Sequence, residues 1–190
     1  MLGALPFFLM IFGIGKSSAR GGPSVATTAY KDGGMIPKKY TCDGGDVSPA
    51  LAFTGIPAEA KSLVLIMDDP DAPVGTWNHW LLFDIPPTTA QLPEGYKPSG
   101  SVKVGKNNFG KTNYGGPCPP KGPAHRYFFR LYALNVDSLG ISAGSDRKAI
   151  DSAMKGKLLP GFPVTYMGKY GRKPMVDISS LKTWSQPKKE

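Results

Sequence analysis

The sequence predicts one mainly β domain with many turns, and three features of its composition support this prediction. The chain has 190 residues, which is enough to bury a core without additional cross-links. It contains 24 Gly and 19 Pro, so turns should be frequent and helix interiors few. Hydrophobic residues make up 41% and charged residues 19%, a balance that excludes a disordered chain or a coiled coil.

Four segments have the composition of β-strands and lie between turn signals. The segment Ser62–Met67 is almost continuously apolar, which predicts a central strand that is buried on both faces. The four predicted strands cover residues 50–53, 62–67, 78–85 and 127–134.

One segment late in the chain predicts a helix. Apolar residues at helical spacing, which include Ile150 and Met154, define its buried face. Ser145 is the predicted N-cap, and Gly156 is predicted to end the helix.

The chain carries a formal net charge of +9, from 23 basic and 14 acidic residues. This charge favours anionic partners such as phosphorylated small molecules, lipid headgroups, nucleic acid or acidic proteins. The basic residues are scattered rather than collected on a helix or a stripe with interleaved aromatics, so we do not expect a nucleic acid partner.

The amino-terminal segment 1–19 resembles a secretory signal peptide, which predicts export to the periplasm or the exterior. Residues 2–14 lack charge and are too few to span a bilayer, and Ser17 and Ala19 supply the small residues of a cleavage site. Against this, Lys16 lies within the cleavage region and no basic residue precedes the apolar run. An uncleaved membrane anchor and a cytoplasmic protein with a misassigned start are the alternatives.

The only two cysteines, Cys42 and Cys118, are candidates for a disulfide bond if the chain is exported. Two buried thiols fit the sequence equally well. The absence of a Cys-x-x-Cys pair argues against a zinc site.

The only two histidines, His79 and His125, each begin a largely apolar predicted strand. Strict alternation places His79 on the face of Leu81 and Phe83, and His125 on the face of Tyr127. Strand ends border the loops that form pockets, so both rings are candidate ligand contacts. The alternative for each is a core histidine hydrogen-bonded to the backbone or to a carboxylate.

Three carboxylates, Asp68, Asp69 and Asp71, follow the predicted central strand, and Pro70 and Pro73 make their turn rigid. A solvated acidic turn is one interpretation. A carboxylate at this position can also hydrogen-bond a histidine ring and fix its tautomer.

Four motifs follow one another along the chain: Asp69-Pro70-Asp71-Ala72-Pro73, His79-Trp80, the Gly-Pro-Cys-Pro-Pro-Lys-Gly segment 116–122, and His125-Arg126-Tyr127. Taken together, they resemble the phosphatidylethanolamine-binding protein family, also called the Raf kinase inhibitor protein family, in its bacterial and archaeal branch. The resemblance extends over residues 24–172 and implies a β-sandwich with a large antiparallel sheet and a few short peripheral helices. The tail, residues 173–190, carries no recognisable motif.

The resemblance implies a protein that binds anions without a cofactor and without catalysis. Its ligand would be phosphate, a phosphorylated small molecule or a lipid headgroup, and its surface would restrain a kinase or a protease. The family also implies a cis peptide in the acidic turn, at Ala72–Pro73. The implied ligand-binding residues are Asp69, Asp71, His79, His125 and Tyr127.

Two enzymatic readings compete with this one. Two histidines and a carboxylate are the composition of a metal site with open positions. Asp and His could also activate water in a hydrolase, although the chain has no Gly-x-Ser-x-Gly motif.

For the binding protein, we expect Asp69 to hold His79 or His125 in its charged form. That contact would raise the pKa of the histidine and make phosphate affinity fall as pH rises.

Overall fold

The computed structural model describes residues 21–172, which form two antiparallel sheets and, within this range, one α-helix. The mainly β sandwich predicted from the sequence is therefore confirmed. The predicted signal segment 1–19 and the tail 173–190 lie outside the described residues. No helix between residues 21 and 172 has the length and apolar character needed to cross a bilayer.

The larger sheet has five strands in the order β6-β4-β3-β7-β8, and the smaller has three in the order β1-β2-β5. A 3-10 turn at Lys38–Tyr40 and helix α1 (Arg147–Met154) complete the elements. The strands are β1 (Ser24–Ala26), β2 (Leu51–Thr54), β3 (Ser62–Asp69), β4 (Trp77–Ile85), β5 (Gln91–Leu92), β6 (Lys103–Val104), β7 (His125–Leu134) and β8 (Val164–Tyr170).

Strand β3 lies at the centre of the larger sheet and is buried along its whole length. Its residues alternate between two cores, as the pleat of a strand requires. Leu63, Leu65 and Met67 pack in the core that also contains residues of the smaller sheet, whereas Val64 and Ile66 pack in the core under α1. The prediction of a strand buried on both faces is confirmed.

Helix α1 covers the second face of the larger sheet through Ile150 and Met154, as the spacing predicts. The predicted cap is wrong by one residue. Asp146 is the N-cap, and its carboxylate accepts a hydrogen bond from the backbone N–H of Ala149 at 2.8 Å. The hydroxyl of Ser145 instead donates to a backbone carbonyl in the preceding turn. A carboxylate also interacts favourably with the positive end of the helix dipole.

A β-bulge at His79 reverses the predicted orientation of this side chain. Met67 pairs with Trp80 and Asp68 pairs with Asn78, so His79 is an extra residue on β4 with no partner in β3. Its ring therefore lies on the Trp80 side of the sheet. Leu81 and Phe83, with which strict alternation grouped His79, pack in the opposite core.

The cis peptide bond implied at Ala72–Pro73 is also wrong. Within residues 21–172, the cis bond is Phe162–Pro163. Two hydrogen bonds stabilise the acidic turn without a cis bond. The Ala72 carbonyl accepts from the backbone N–H of Gly75, and the Asp69 carboxylate accepts from the backbone N–H of Asp71.

A buried ion-pair network fixes the end of β3 on the α1 side. The Asp68 carboxylate is 2% exposed and accepts from Nε of Arg130 at 2.8 Å and from an Nη of Arg147 at 3.3 Å. The Arg147 guanidinium also donates to the side chain of Asn78 on β4. Asp68 thus links β3 to β7 and α1 through charge-assisted hydrogen bonds.

We expect Asp68→Ala to lower the free energy of unfolding by about 2–4 kcal/mol, because it leaves two guanidinium groups without their shared carboxylate. Urea denaturation at pH 7 measures this change. Asp137→Ala, at an exposed carboxylate, is the control and should change stability by less than about 0.5 kcal/mol. Equal losses in the two variants would contradict the structural role of the network.

Candidate functional site

Two neighbouring residues of β7 join the acidic turn to the larger sheet. The Asp69 carboxylate accepts a hydrogen bond from Nδ1 of His125 at 2.8 Å. The Asp71 carboxylate accepts from the backbone N–H, Nε and Nη2 of Arg126 at 2.9, 2.9 and 2.6 Å. These bonds to Arg126 hold the pKa of Asp71 at about 2, below its usual value. The turn therefore presents its carboxylates in fixed positions.

Asp69 is almost fully buried, and both of its oxygens are engaged. Oδ2 is the partner of His125, and Oδ1 accepts from the backbone N–H of Asp71 at 2.8 Å. Because an ionised carboxylate only accepts hydrogen bonds, Nδ1 of His125 carries a proton. Nε2 of His125 is therefore the nitrogen available to a ligand.

His79 meets the same region from β4 in a different environment. Its Nδ1 lies 2.7 Å from the carbonyl oxygen of Gly115, so this nitrogen donates and Nε2 remains for a ligand. The ring packs edge-on against Tyr127 and Phe109, with centroids 5.2 and 5.3 Å apart. Burial lowers the pKa of His79, so the ring is neutral at pH 7 and Nε2 is an acceptor. The charge of Asp69 acts to raise the pKa of His79, but burial outweighs it, so the prediction that Asp69 holds a histidine in its charged form is wrong for His79.

The two histidines and Asp69 line one cavity of about 200 Å³. The family resemblance implied that these three residues share a site, and the structure brings them together. The rest of the wall is largely apolar and formed by Ala72, Pro73, Val74, Trp77, Phe109, Cys118, Pro119 and Pro120.

Asp71 and Tyr127, the other two predicted ligand contacts, are not among the residues that line the cavity. Asp71 is committed to Arg126, as described above. Tyr127 is 1% exposed, and its ring packs edge-on against the ring of His79. Its hydroxyl has no hydrogen-bond partner within residues 21–172, and burial, together with the nearby Asp69, raises its pKa well above the usual value.

The Gly- and Pro-rich segment before β7 forms a rim of the cavity. Hydrogen bonds and a disulfide bond hold residues 115–118 of this rim in place. Gly115 accepts from His79, and the Gly116 N–H donates to Oδ1 of Asp46 at 2.6 Å. The Pro117 carbonyl accepts from the backbone N–H of Cys42. Cys42 and Cys118 are joined by a disulfide bond, with their Cα atoms 5.4 Å apart.

Sequence reasoning missed two aromatic wall residues, Trp77 and Phe109. They contact each other edge-on at 5.5 Å, and Phe109 is brought to His79 by a turn from another part of the chain. The Asn107 side chain orders this turn by accepting from the backbone of Phe109 and donating to the His79 carbonyl. No local sequence signal marks this contact.

The part of the chain between residues 21 and 172 contains no group of three or more His, Cys, Asp or Glu side chains arranged to hold a metal ion. Each histidine already commits Nδ1 to a protein acceptor. This arrangement leaves Nε2 of each ring free for a ligand in the cavity. Nε2 of the neutral His79 ring is an acceptor, whereas Nε2 of His125 belongs to a ring whose Nδ1–H is donated to the Asp69 carboxylate.

Comparison with known proteins gives a consistent result. A family model described as phosphatidylethanolamine-binding protein matches residues 26–167. A UPF0098 protein of Aquifex aeolicus is 46% identical over 164 residues, which cover 84% of this chain and 93% of the relative. Another from Methanothermobacter thermautotrophicus is 49% identical over 141 residues, which cover 72% and 91%.

Two solved structures share the fold. A phosphatidylethanolamine-binding protein homologue from Chlamydia trachomatis superposes with a TM-score of 0.73 at 37% identity, covering 80% of this chain and 99% of that one. The Escherichia coli protein YbcL, described as a member of the mammalian PEBP family, gives a TM-score of 0.74 at 28% identity and covers 80% and 100%.

Because burial lowers the pKa of His79, we expect this residue to make the protein less stable at acidic pH. The folded state binds the His79 proton less readily than the unfolded state, whose histidine has a pKa near ~6.5. This contribution to stability is therefore complete above about pH 6.5 and is lost as pH falls below that value. Urea denaturation between pH 8 and pH 5 measures the slope.

His79→Asn should flatten this pH dependence, because its amide can still donate to the Gly115 carbonyl but does not titrate. The comparison is between slopes, so a uniform loss of stability in the variant does not affect it. An unchanged slope in His79→Asn would show that His79 is not the titrating group.

Proposed function

The chain belongs to the phosphatidylethanolamine-binding protein family, and we propose that it binds, without catalysis, phosphate or the phosphoryl group of a small molecule or lipid headgroup. The observation that carries the proposal is the His125–Asp69 pair in the cavity wall, which leaves Nε2 of His125 for a ligand. A cavity of about 200 Å³ is large enough for a phosphoryl group and a short substituent.

The negative charge of the acidic side chain is compensated in the proposed complex by protonation of His125. Asp69 accepts one hydrogen bond from the His125 ring and another from the Asp71 backbone. When the anion binds, Nε2 of His125 is protonated, and the resulting imidazolium lies between the carboxylate and the phosphoryl oxygen. Such a charge-assisted bond is stronger than a bond between neutral groups.

His79 gives the pocket a second, complementary contact. Its neutral ring presents Nε2 as an acceptor, which a P–OH group can satisfy by donating its proton. The pocket therefore favours a phosphoryl group that retains one proton over a fully ionised anion. The net charge of +9 adds a long-range attraction for anions.

The apolar walls suit the part of the ligand that carries the phosphoryl group. Trp77 and Phe109 contact each other in the cavity wall, and Pro73 and Val74, which follow the acidic residues in the same turn, also line the cavity. Val74 is 78% exposed, so an apolar surface extends outward from the cavity. A phosphorylated small molecule or a lipid headgroup would contact this surface, whereas free phosphate would contact only the two histidines.

Three further expectations stay predictions. The family resemblance implies restraint of a kinase or a protease, and the charge pattern argues against a nucleic acid partner. Export depends on segment 1–19, which lies outside the described residues; sequencing the amino terminus of the mature protein tests it.

We expect His125→Ala to weaken phosphate binding roughly 10- to 100-fold at pH 6.5, because it removes a hydrogen bond to a charged group. Titration calorimetry with inorganic phosphate, and in parallel with phosphoethanolamine, measures the effect. Lys106→Ala is the matched control, because it removes one positive charge at an exposed residue that does not line the cavity.

Equal affinities in the two variants would contradict the proposed site, as would a wild-type protein that binds neither ligand at millimolar concentration. The same samples are assayed for hydrolysis of a phosphomonoester. Turnover that His125→Ala abolishes would favour the hydrolase over the binding protein.

A further inference from the structure

The disulfide bond is part of the pocket wall. Cys118 is exposed and lines the cavity that contains the two histidines. Both cysteines also line a second cavity of about 220 Å³ on the other side of the rim. The bond therefore borders two solvent-accessible cavities, with Cys118 in the wall of both, unlike a purely structural disulfide within a core.

A guanidinium group lies directly against the two sulfur atoms. Nη2 of Arg172 is 2.9 Å from Sγ of Cys42 and 3.4 Å from Sγ of Cys118. Asp43 holds the guanidinium in place by accepting from Nη2 at 2.6 Å and from Nε at 2.8 Å. A fixed positive charge beside sulfur stabilises the thiolate and so makes it a better leaving group.

We propose that the Cys42–Cys118 bond is a thiol–disulfide exchange site, at which a dithiol reduces the bond and thereby lowers the affinity of the pocket for phosphate. The exchange rests on the position of the bond and of Arg172. The effect on affinity rests in addition on the proposed function.

The exchange takes place in two balanced steps. A thiolate of the dithiol attacks the exposed Sγ of Cys118, the bond between the two protein sulfurs breaks, and Cys42 leaves as a thiolate beside Arg172. The second thiol of the dithiol then attacks the mixed disulfide and releases Cys118. The dithiol becomes a disulfide, and its two electrons and two protons end on the two cysteines.

Reduction would loosen one part of the rim and leave the rest attached. Pro119 and Pro120 follow Cys118 and line the cavity, and the Pro119 carbonyl has a single, 3.3 Å contact with Arg172. The contacts of Gly115 and Gly116 do not depend on the disulfide. His79 therefore keeps its partner, and the cost of ordering the loosened wall should weaken phosphate binding roughly fivefold.

The exchange is tested by the rate at which dithiothreitol reduces the native protein, followed by alkylation and mass measurement. We expect Arg172→Gln to slow reduction roughly fivefold, because the leaving thiolate loses its cation, and Arg172→Lys to stay near the wild-type rate. Equal rates in all three proteins, or reduction only as fast as global unfolding, would overturn the exchange site.

The effect on the pocket is tested by calorimetry with inorganic phosphate on the oxidised protein and on the reduced protein kept free of oxygen. The double variant Cys42→Ser, Cys118→Ser is the control: it should bind like the reduced protein and be unaffected by dithiothreitol. Equal affinity in the oxidised and reduced proteins would overturn the coupling. If the oxidised protein binds no phosphate, the proposed function fails, whereas the reduction rates still decide the exchange site.

Discussion

The hydrogen bond between Asp69 and His125 determines the geometry of the pocket. It joins the end of the central strand to the start of a neighbouring strand, at 2.8 Å between the buried Asp69 carboxylate and the half-buried His125 ring. The second oxygen of Asp69 closes the acidic turn, whose other carboxylate, that of Asp71, holds Arg126. One carboxylate therefore fixes the turn, the orientation of the His125 ring and the nitrogen that remains for a ligand.

The two histidines are chemically different because their surroundings differ. His79 is 2% exposed, donates to a neutral carbonyl and stays neutral, whereas His125 has a carboxylate behind it. In the proposed complex, Nε2 of His79 would accept a hydrogen bond from the ligand, and Nε2 of His125 would donate one. In the proposed binding mode, this pairing of acceptor and donor would favour a phosphoryl group that retains one proton over a fully ionised one. It follows from burial and partner identity rather than from the residue type.

The sequence predicted what depends on local composition. The apolar run of β3 and the acidic turn after it were predicted in this way and agree with the structure. The convergence of Asp69, His79 and His125 was instead implied by the family resemblance, and the structure brings the three residues to one cavity. Strict alternation failed at His79, because a bulge depends on pairing with another strand. The Asp71–Arg126 contact was missed because it joins distant segments. Strands β1, β5 and β6 were missed because two or three residues carry no periodic signal. Strand β8 was also missed, although it has seven residues; it is an edge strand that contains Gly168 and is mostly half-buried or exposed.

The state of the two rings is the most direct test of this account. Nitrogen NMR of imidazole-labelled protein at pH 7, recorded with and without inorganic phosphate, reports which ring nitrogens carry protons. The account predicts that phosphate protonates Nε2 of His125 while His79 remains neutral with its proton on Nδ1. Protonation of His79, or a His125 ring that phosphate leaves unchanged, would contradict it.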